Sequence, residues 1–193
     1  MNKQQEKRLN IVNKTITLCA QYGFHGTSMD SITSATGVSK ATIYKYFISK
    51  ENLIKEALFL FSEQALNSLN VIFSDPTLTL EQKLSERFEI LVTLMKDDLF
   101  NGCYFQLAYS EFNHTDDNIA KICTNYKNTR VNMINDLLTE NNINNAELKS
   151  QQAELIFNGL LATLQITKNT KLIPMAKKMY LNVIFEKINH EHY

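Results

Sequence analysis

The stretch from Thr27 to Lys50 constrains the fold of this chain more than any other, because it predicts two short helices joined by a tight turn. Ser28 can cap a helix that begins at the next residue, since its side-chain oxygen can accept a hydrogen bond from a backbone N–H of the first turn. Gly37 can adopt the left-handed conformation that a sharp reversal of the chain requires. Ser39 is the N-cap of a second helix, from Lys40 to about Phe47. The pattern predicts a helix-turn-helix.

The spacing of residues in these two helices predicts an inward and an outward face. Ile32 and Ala35 are expected to point inward from the first helix, and Ile43, Tyr46 and Phe47 from the second. The outward face of the second helix then consists of Lys40, Ala41, Thr42, Tyr44 and Lys45. In a helix-turn-helix the second helix lies in the major groove of DNA, and neighbouring side chains bind phosphates. This segment is therefore expected to bind double-stranded DNA.

Charge is unevenly distributed along the chain, although the net charge is zero. Residues 1–50 carry seven basic and two acidic side chains, a net charge of +5, so residues 51–193 carry −5. Because DNA affinity depends on cations that neutralise phosphates, we expect the N-terminal part of the chain to face DNA.

Further residues around the helix-turn-helix keep fixed spacings. They are Gly23, Phe24, Thr27, Ser28, Ile32, Gly37, Val38, Ser39, Ile43, Tyr44, Tyr46, Phe47, Lys50, Glu51, Asn52 and Leu53. With these residues, roughly the first quarter of the chain resembles the N-terminal signature of the TetR family of bacterial transcriptional repressors. The chain departs from the family pattern at Lys14, Thr15, Thr33 and Thr36, where alanines are usual, and at Cys19, where an aromatic residue is usual. Lys14 must therefore face solvent or DNA, and the helix crossing must accommodate two extra hydroxyls.

The resemblance implies roles for individual residues at the DNA surface. Thr27, Ser39, Tyr44, Tyr46 and Lys50 match positions that bind phosphates in the family. Lys40, Ala41, Thr42 and Lys45 are placed to meet bases or the adjoining backbone. With the N-cap residue, the expected DNA-binding set is Thr27, Ser28, Ser39, Lys40, Ala41, Thr42, Tyr44, Lys45, Tyr46 and Lys50.

The rest of the chain also reads as helical, because 5 Gly and 2 Pro leave little material for β-turns. A long fourth helix is expected from the Ser49 cap to the break at Asp75-Pro76, and a capping box at Thr79 and Gln82 opens a fifth that runs to about Asp97. The remaining predicted helices span about Tyr104–Phe112, Asp116–Glu140, Ala146–Lys168 and Ile173–His190. The sequence thus predicts an all-α protein of about nine helices, with a three-helix DNA-binding domain over residues 1–49 and a ligand-binding and dimerisation domain over residues 50–193.

The last two predicted helices carry apolar residues on more than one face, which indicates that a partner covers one of them. In the resembled family this helix pair forms a four-helix dimer interface, and a dimer also suits the two-fold symmetry of DNA half-sites. The expected interface residues are Ile156, Gly159, Leu160, Thr163, Tyr180 and Ile184. The alternative is that these side chains fill the core of a single chain.

Aromatic and methionine side chains are concentrated in the middle helices, which the family uses to bind inducers. The expected ligand-binding set is Phe61, Phe88, Leu91, Met95, Tyr104, Phe105, Tyr109 and Tyr126. These residues are expected to line one cavity between the DNA-binding domain, residues 1–49 (the DNA-binding head), and the dimer interface. As a set they favour an apolar or aromatic effector. Glu111 and Asp116 could pair with a cationic one, although solvated carboxylates are more common. Side chains of these types also form ordinary cores.

Other classes of protein fit the sequence poorly. Three widely spaced cysteines suggest a reducing compartment, and the longest apolar segments fall short of a membrane span, so a cytoplasmic protein is expected. Glu111 and His114 have the spacing of half a di-iron site, but no second such motif is present. No phosphate-binding glycine loop or Ser-His-Asp set is found. We expect no cofactor, no metal and no enzyme activity.

These observations favour a homodimeric transcriptional repressor that a small-molecule effector releases from a palindromic operator. One alternative is a TetR-like DNA-binding protein with a protein partner and no small-molecule switch. An α-helical metalloenzyme is a remote third.

Overall fold

The computed structural model describes residues 2–186, and this range forms α helices without any strand. The helices are α1 Lys3–Tyr22, α2 Met29–Thr36, α3 Lys40–Phe47, α4 Lys50–Ser74, α5 Leu80–Lys96, α6 Tyr104–Phe112, α7 Asp117–Glu140, α8 Ala146–Thr167 and α9 Leu172–Phe185. The predicted all-α class is confirmed, and the nine helices of the described range match the expected number.

Most helix ends lie where the capping residues predict them. Thr79 and Gln82 form the expected capping box before α5, in which each side chain bonds to the backbone N–H of the other residue. The predicted start of α7 is one residue early, because the Asp116 carboxylate accepts from the N–H groups of Asn118 and Ile119 and so caps the helix. Helix α8 ends at Thr167, one residue before the predicted end at Lys168, because the backbone of Lys168 is in the left-handed conformation (φ 51°).

The last helix differs from its prediction at both ends. It begins at Leu172, one residue earlier than expected, and α9 ends at Phe185. The predicted end at His190 lies outside the described residues.

Contacts divide the chain into two compact units. Unit 1 contains Met1–Leu66 and Cys103–Lys127, and unit 2 contains Asn67–Gly102 and Asn128–Tyr193. The buried core of unit 1 is formed by α1 to α4, α6 and α7 and the loop after α1; it includes Ile11, Phe24, Ile32, Ile43, Leu53, Leu58, Phe105, Ile119 and Tyr126. The helix-turn-helix thus shares its core with the first part of α4. The predicted division between residues 49 and 50 stays a prediction.

The departures from the family pattern are accommodated inside unit 1. Lys14 is exposed, and the hydroxyls of Thr33 and Thr36 donate to the carbonyls of Met29 and Ile32, one turn earlier in the same helix. Each extra hydroxyl is therefore satisfied locally, which removes the cost of burying it unpaired. The expectation that Ala35 points inward is wrong, because Ala35 is exposed.

Unit 2 is built around α5, α8 and α9. Phe88 of α5 is fully buried and packs edge-on against two rings, Phe157 of α8 and Tyr180 of α9, with ring centroids 5.2 Å apart in each pair. Leu84, Leu164 and Ile184 are also fully buried. Among the described residues, no helix combines the length and apolar character needed to cross a bilayer.

Candidate functional site

Three local interactions shape the helix-turn-helix. The Ser28 hydroxyl oxygen accepts from the Ser31 N–H at 3.0 Å, and the Ser31 hydroxyl oxygen accepts in return from the Ser28 N–H at 3.1 Å. Gly37 is left-handed (φ 66°, ψ 14°), as predicted for a sharp turn after α2. Ser39 then caps α3 by accepting from the N–H of Thr42 at 3.3 Å. Both helices therefore begin and end at the residues that the sequence predicts.

The two faces of α3 have different exposure. Ile43 and Phe47 are buried against the core of unit 1, while Lys40, Ala41, Tyr44 and Lys45 are exposed. Thr42 and Tyr46 are half-buried. The N-terminal turn and the outward face of α3 are thus free to enter a groove of the kind that a recognition helix occupies.

Two lysines that are predicted to contact DNA have partners within the chain. Lys40 Nζ lies 3.0 Å from a carboxylate oxygen of Asp30, and this hydrogen bond raises the pKa of Lys40. Lys50 Nζ donates to the carbonyl of His25 at 3.4 Å. Lys40, Asp30 and His25 are exposed, and Lys50 is half-buried. A phosphate can therefore compete for both ammonium groups.

Thr27 differs from the rest of the predicted DNA-binding set because its side chain is only 1% exposed. Its hydroxyl donates to the carbonyl of Gly23 at 2.8 Å. A phosphate contact by this hydroxyl would require that bond to break. The side chain of Thr27 therefore stabilises the loop between α1 and α2 in this structure.

Glu111, near the end of α6, joins that helix to the same loop. One carboxylate oxygen accepts from the N–H of Phe24 at 3.0 Å, and the other accepts from the N–H of His25 at 2.5 Å. The imidazole Nδ1 of His25 lies 3.3 Å from the second oxygen, and the ring of Phe112 packs edge-on against the rings of both loop residues. We call this set of contacts the Glu111 joint. It connects α6 directly to the segment that enters the helix-turn-helix.

The two carboxylates considered as partners for a cationic effector are therefore already engaged. Glu111 holds the joint, and Asp116 caps α7 and lies 3.7 Å from Lys55 Nζ. The sequence does contain a signal for the joint: Glu111 stands one residue before Phe112, which is buried, so its side chain begins at the edge of the core.

Five of the predicted ligand-binding residues lie in unit 1, and four of them form an aromatic cluster. Phe61 of α4 contacts Tyr104 and Phe105 of α6, with centroids 4.7 and 5.8 Å apart, and Phe105 stacks on Tyr126 of α7 at 3.6 Å. Tyr109 is 44% exposed. The cluster thus ties together the three helices that follow the DNA-binding head in unit 1.

The other three predicted ligand-binding residues, Phe88, Leu91 and Met95, lie on α5 in unit 2. Phe88 and Leu91 are buried, and the ring contacts of Phe88 are the two described above, while Met95 is half-buried. That all eight residues line a single cavity stays a prediction.

The predicted dimer residues fall into two groups. Gly159 and Thr163 are exposed and Ile156 is half-buried, and a Cβ added at Gly159 would meet no atom within 4 Å. Leu160, Tyr180 and Ile184 are instead buried inside unit 2, with exposures of 5%, 0% and 0%. Their side chains fill the core of one chain. Spacing alone could not separate these residues from exposed ones, because α8 and α9 each carry apolar residues on an inner and an outer face.

Exposed apolar side chains mark the outer faces of α8 and α9. Leu155 and Ile166 of α8 are 74% and 85% exposed, and Met175 and Met179 of α9 are 58% and 52% exposed. With Gly159 and Thr163, the residues of α8 recur every three or four positions and so lie on one face of the helix. We call these residues of α8 and α9 the outer stripe.

The remaining sequence candidates do not assemble into a metal site within residues 2–186. No group of three or more His, Cys, Asp or Glu side chains in that range could hold a metal ion. His114 lies in the exposed turn after α6. Cys19 and Cys123 are buried and Cys103 is half-buried, and all three are free thiols.

Comparisons with known proteins agree with this geometry. Residues 11–57 match the sequence model of a family described as bacterial regulatory proteins, tetR family. The HTH-type transcriptional regulator YjdC of Escherichia coli (strain K12) is 20% identical over 178 residues, which cover 92% of this chain and 93% of that protein. The HTH-type transcriptional regulator UidR of the same organism is 37% identical over 62 residues, which cover 32% of each chain.

Solved structures share the fold over nearly the whole chain. The reduced form of NemR from E. coli superimposes with a TM-score of 0.85 at 14% identity, covering 95% of this chain and 99% of that one. A TetR transcriptional regulator from Legionella pneumophila gives a TM-score of 0.83 at 17% identity, covering 95% and 98%. The match of residues 11–57 includes both helices of the helix-turn-helix, and the relatives are transcriptional regulators. Residues 11–57 therefore carry the helix-turn-helix sequence of the tetR family of bacterial regulatory proteins, and the chain has the fold of tetR-family transcriptional regulators over nearly its whole length.

Proposed function

We propose that this regulator is a cytoplasmic homodimeric repressor that binds a pseudo-palindromic operator and is released by a small apolar or aromatic effector. The observation that carries the proposal is the outward face of α3, on which Lys40, Ala41, Tyr44 and Lys45 are exposed; α3 lies within residues 1–50, whose net charge is +5. A basic helix of this kind, rigidly capped and backed by a core, is what major-groove recognition requires.

Dimerisation is supported by the outer stripe of α8 and α9. A monomeric protein would expose Leu155, Ile166, Met175 and Met179 to water, whereas pairing of two chains would bury them. Gly159 lies within the stripe and has open space beside it, so the backbone of a second helix can approach closely. Two-fold pairing also places two copies of α3 on one DNA duplex, as a palindrome demands.

Effector release is supported by the continuity of contacts within unit 1. The aromatic cluster joins α4, α6 and α7, and the Glu111 joint connects the end of α6 to the loop before α2. An effector that separates the stacked rings of Phe105 and Tyr126 would move α6, and the joint would carry that movement to the helix-turn-helix. For release to occur, the effector must bind more tightly to the conformation that fits DNA poorly.

The first experiment is selection of DNA sequences by the purified full-length protein, followed by footprinting and binding isotherms at several salt concentrations. We expect a pseudo-palindrome with half-site centres about one helical turn apart or slightly more. Affinity should fall steeply with salt, because bound lysines displace counterions from phosphates. A salt slope near zero, or an enriched sequence without two-fold symmetry, would contradict the proposal.

A second candidate is a DNA-binding protein that responds to a protein partner instead of a small molecule. The observation that favours it is the tight stacking of Phe105 on Tyr126, with both rings at least 93% buried, because a cavity filled by its own side chains leaves no room for a ligand. Operator titrations against a library of apolar and aromatic compounds separate the two. Release by any of them at a concentration that leaves the protein folded favours the small-molecule switch.

A further inference from the structure

The dipeptide Asn-Gly occurs twice in the chain, at Asn101-Gly102 between α5 and α6 and at Asn158-Gly159 within α8. An asparagine in this position can lose ammonia, because the backbone nitrogen of the next residue can attack its side-chain carbonyl carbon. Glycine favours the attack, since it has no Cβ to obstruct the approach and leaves the backbone free to turn. The two dipeptides thus share the same chemistry and differ only in their structural surroundings.

The backbone at Asn101-Gly102 is irregular and accessible to water. Both residues are half-buried, and neither belongs to a helix. Within residues 2–186, neither the N–H of Gly102 nor the side-chain amide of Asn101 forms a hydrogen bond to another group of the chain. The attacking nitrogen and the side chain that it attacks are therefore both unrestrained.

The residues on either side of this dipeptide are held in place. Phe100 is buried, and its carbonyl accepts from Lys168 Nζ at 2.8 Å. Cys103 is the N-cap of α6, and its carbonyl accepts from the N–H of Leu107 at 3.1 Å. The unrestrained segment is therefore confined to the Asn-Gly dipeptide itself.

Helical structure restrains the second dipeptide. Asn158-Gly159 lies inside α8, where the N–H of Gly159 donates to the carbonyl four residues earlier. Ring closure would require this hydrogen bond to break and the helix to open locally. The next residue, Leu160, is buried in unit 2, so opening would also expose apolar surface. The reaction at Asn158 is therefore opposed by the stability of the fold.

We propose that Asn101 is a site of spontaneous deamidation and that α8 protects Asn158 from the same reaction. Hydroxide takes the proton of the Gly102 N–H, and the nitrogen forms a bond to the side-chain carbonyl carbon of Asn101. The bond from that carbon to the amide nitrogen breaks, and ammonia leaves with a proton from water. The product is a cyclic imide.

Water then opens the imide in one of two ways. Cleavage of the bond between the Gly102 nitrogen and the side-chain carbonyl carbon gives aspartate at position 101. Cleavage of the bond between the same nitrogen and the main-chain carbonyl carbon gives isoaspartate, in which the main chain runs through the side chain. Overall, one water is consumed and one ammonia is released.

Both products place a carboxylate where the chain had a neutral amide. The new charge lies one residue after the Phe100 carbonyl that Lys168 Nζ contacts, so the two charges attract. Isoaspartate also lengthens the main chain by one carbon just before α6, the helix that carries the Glu111 joint. We therefore expect the modification to change operator affinity. This consequence rests on the proposed function, whereas the deamidation site does not.

The site is tested by incubating the purified full-length protein at pH 7 and at pH 9 and mapping its peptides after digestion in acid. Conversion raises the mass of a peptide by the difference between a hydroxyl and an amino group, and chromatography separates aspartate from isoaspartate. We expect Asn101 to react about ten times as fast as Asn158 or more, because even a small free energy of opening in α8 lowers the rate by that factor. The reaction at Asn101 should be faster at pH 9, because hydroxide starts it.

Unfolding in urea provides the matched control, because the two dipeptides then have no helix to distinguish them. Their rates should become similar in urea. Similar rates in the folded protein, or no reaction at Asn101 in the folded protein while both positions react in urea, would overturn the proposal.

The variant Asn101→Gln keeps an amide but requires a larger ring, so it should abolish the reaction at this position and leave Asn158 unchanged. Gly102 is retained in this test, because its φ of 97° is one that other residues rarely adopt. A peptide around position 101 that gains mass as fast in Asn101→Gln as in the parent would contradict the assignment to Asn101.

Operator titrations of fresh and aged protein test the consequence for DNA binding, with aged Asn101→Gln as the control. We expect affinity to change in the aged parent and to stay constant in the aged variant. Equal affinities of fresh and fully converted protein would leave the site established and overturn only its effect on DNA binding. Fresh protein that binds no operator would instead contradict the proposed function.

Discussion

At the scale of single residues, the most unusual backbone conformation belongs to Ile48, between α3 and α4. Its φ of 61° and ψ of −48° lie in a region that β-branched residues rarely adopt, and the N–H of Ser49 reaches the carbonyl of Phe47 at 2.5 Å. These values describe a γ-turn, which is strained for a residue with a Cβ. The side chain is 81% exposed, so little packing offsets the strain.

We predict that Ile48→Gly stabilises the protein. Relief of the strain should contribute more than the extra flexibility of glycine costs in the unfolded chain, for a net gain of about 1 kcal/mol in the free energy of unfolding. The control is Val71→Gly, which removes another exposed β-branched side chain, but from the last turn of α4. It should destabilise by about 0.5 kcal/mol, because glycine is a poorer helix former than valine. Urea denaturation measures both, and two changes of the same sign would contradict the strain argument.

The lysines of the DNA-binding head should differ in what they contribute. Lys50→Ala is expected to weaken binding to all DNA sequences about equally and to lower the salt slope by roughly one unit, because it removes one phosphate contact. Lys40→Ala and Thr42→Ala should instead change base preference. Lys178→Ala, an exposed lysine on α9, is the matched control. Binding isotherms over a salt series test this, and a sequence-dependent effect of Lys50→Ala would contradict its assignment to the backbone.

At the scale of helices, the sequence predicts the elements well because their ends are locally determined. Ser28, Ser39 and Thr79 each accept from a backbone N–H three residues on, and that interaction depends on nothing distant. Faces are predicted less well. Ala35 was expected inside and is exposed, because a helix of eight residues is oriented by its neighbours more than by its own pattern.

The difficulty of predicting which face of a helix points inward also affects the candidate sites. In α8 and α9 apolar residues occur on both faces, so spacing could not show that Leu160 and Tyr180 are internal while Leu155 is outside. A core predicted from apolar residues alone leaves out the buried ion pair of Arg87 and Glu154. Their positions do contain a signal: Arg87 lies between Leu84 and Leu91 on the apolar face of α5, where a charged residue must find a partner.

The Glu111 joint leads to a prediction about α6. Glu111→Gln keeps the shape of the side chain, but its NH2 group replaces one of the two accepting oxygens, so one of the two loop N–H groups then faces a donor. We expect this variant to lose about 1 to 3 kcal/mol of stability and to need at least tenfold more effector for release from the operator. Thermal unfolding and operator titrations with effector measure these two quantities.

Glu63→Gln, which neutralises an exposed carboxylate on α4, is the control. It should change neither the stability of the protein nor the effector concentration needed for release. A Glu111→Gln variant that is destabilised but keeps the effector response of the parent would show that the joint is structural only.

At the scale of the whole molecule, association of two chains should depend on the outer stripe and not on the buried residues beneath it. We predict that Leu155→Asp weakens the proposed dimer and operator binding together while each chain stays folded, because Leu155 is 74% exposed in one chain and would be covered by the second. Leu160→Asp should instead unfold the chain, since it places an unpaired carboxylate in the core of unit 2. Sedimentation measures association and circular dichroism measures folding.

A folded, fully dimeric Leu155→Asp variant would show that the outer stripe is not the interface. Leu148→Asp is a useful neighbour for comparison, because Leu148 is 48% exposed on the first turns of α8 and tests how far along the helix the interface extends.

The Glu111 joint has a further consequence for how such a regulator can change over evolutionary time. Its carboxylate binds the main-chain N–H groups of Phe24 and His25, and every amino acid except proline supplies that group. The contact is therefore indifferent to most substitutions in the loop. Residues around the helix-turn-helix can therefore diverge while the contact with α6 persists. Under the proposed function, a heritable change of DNA target need not disturb the contact through which an effector would act on the helix-turn-helix.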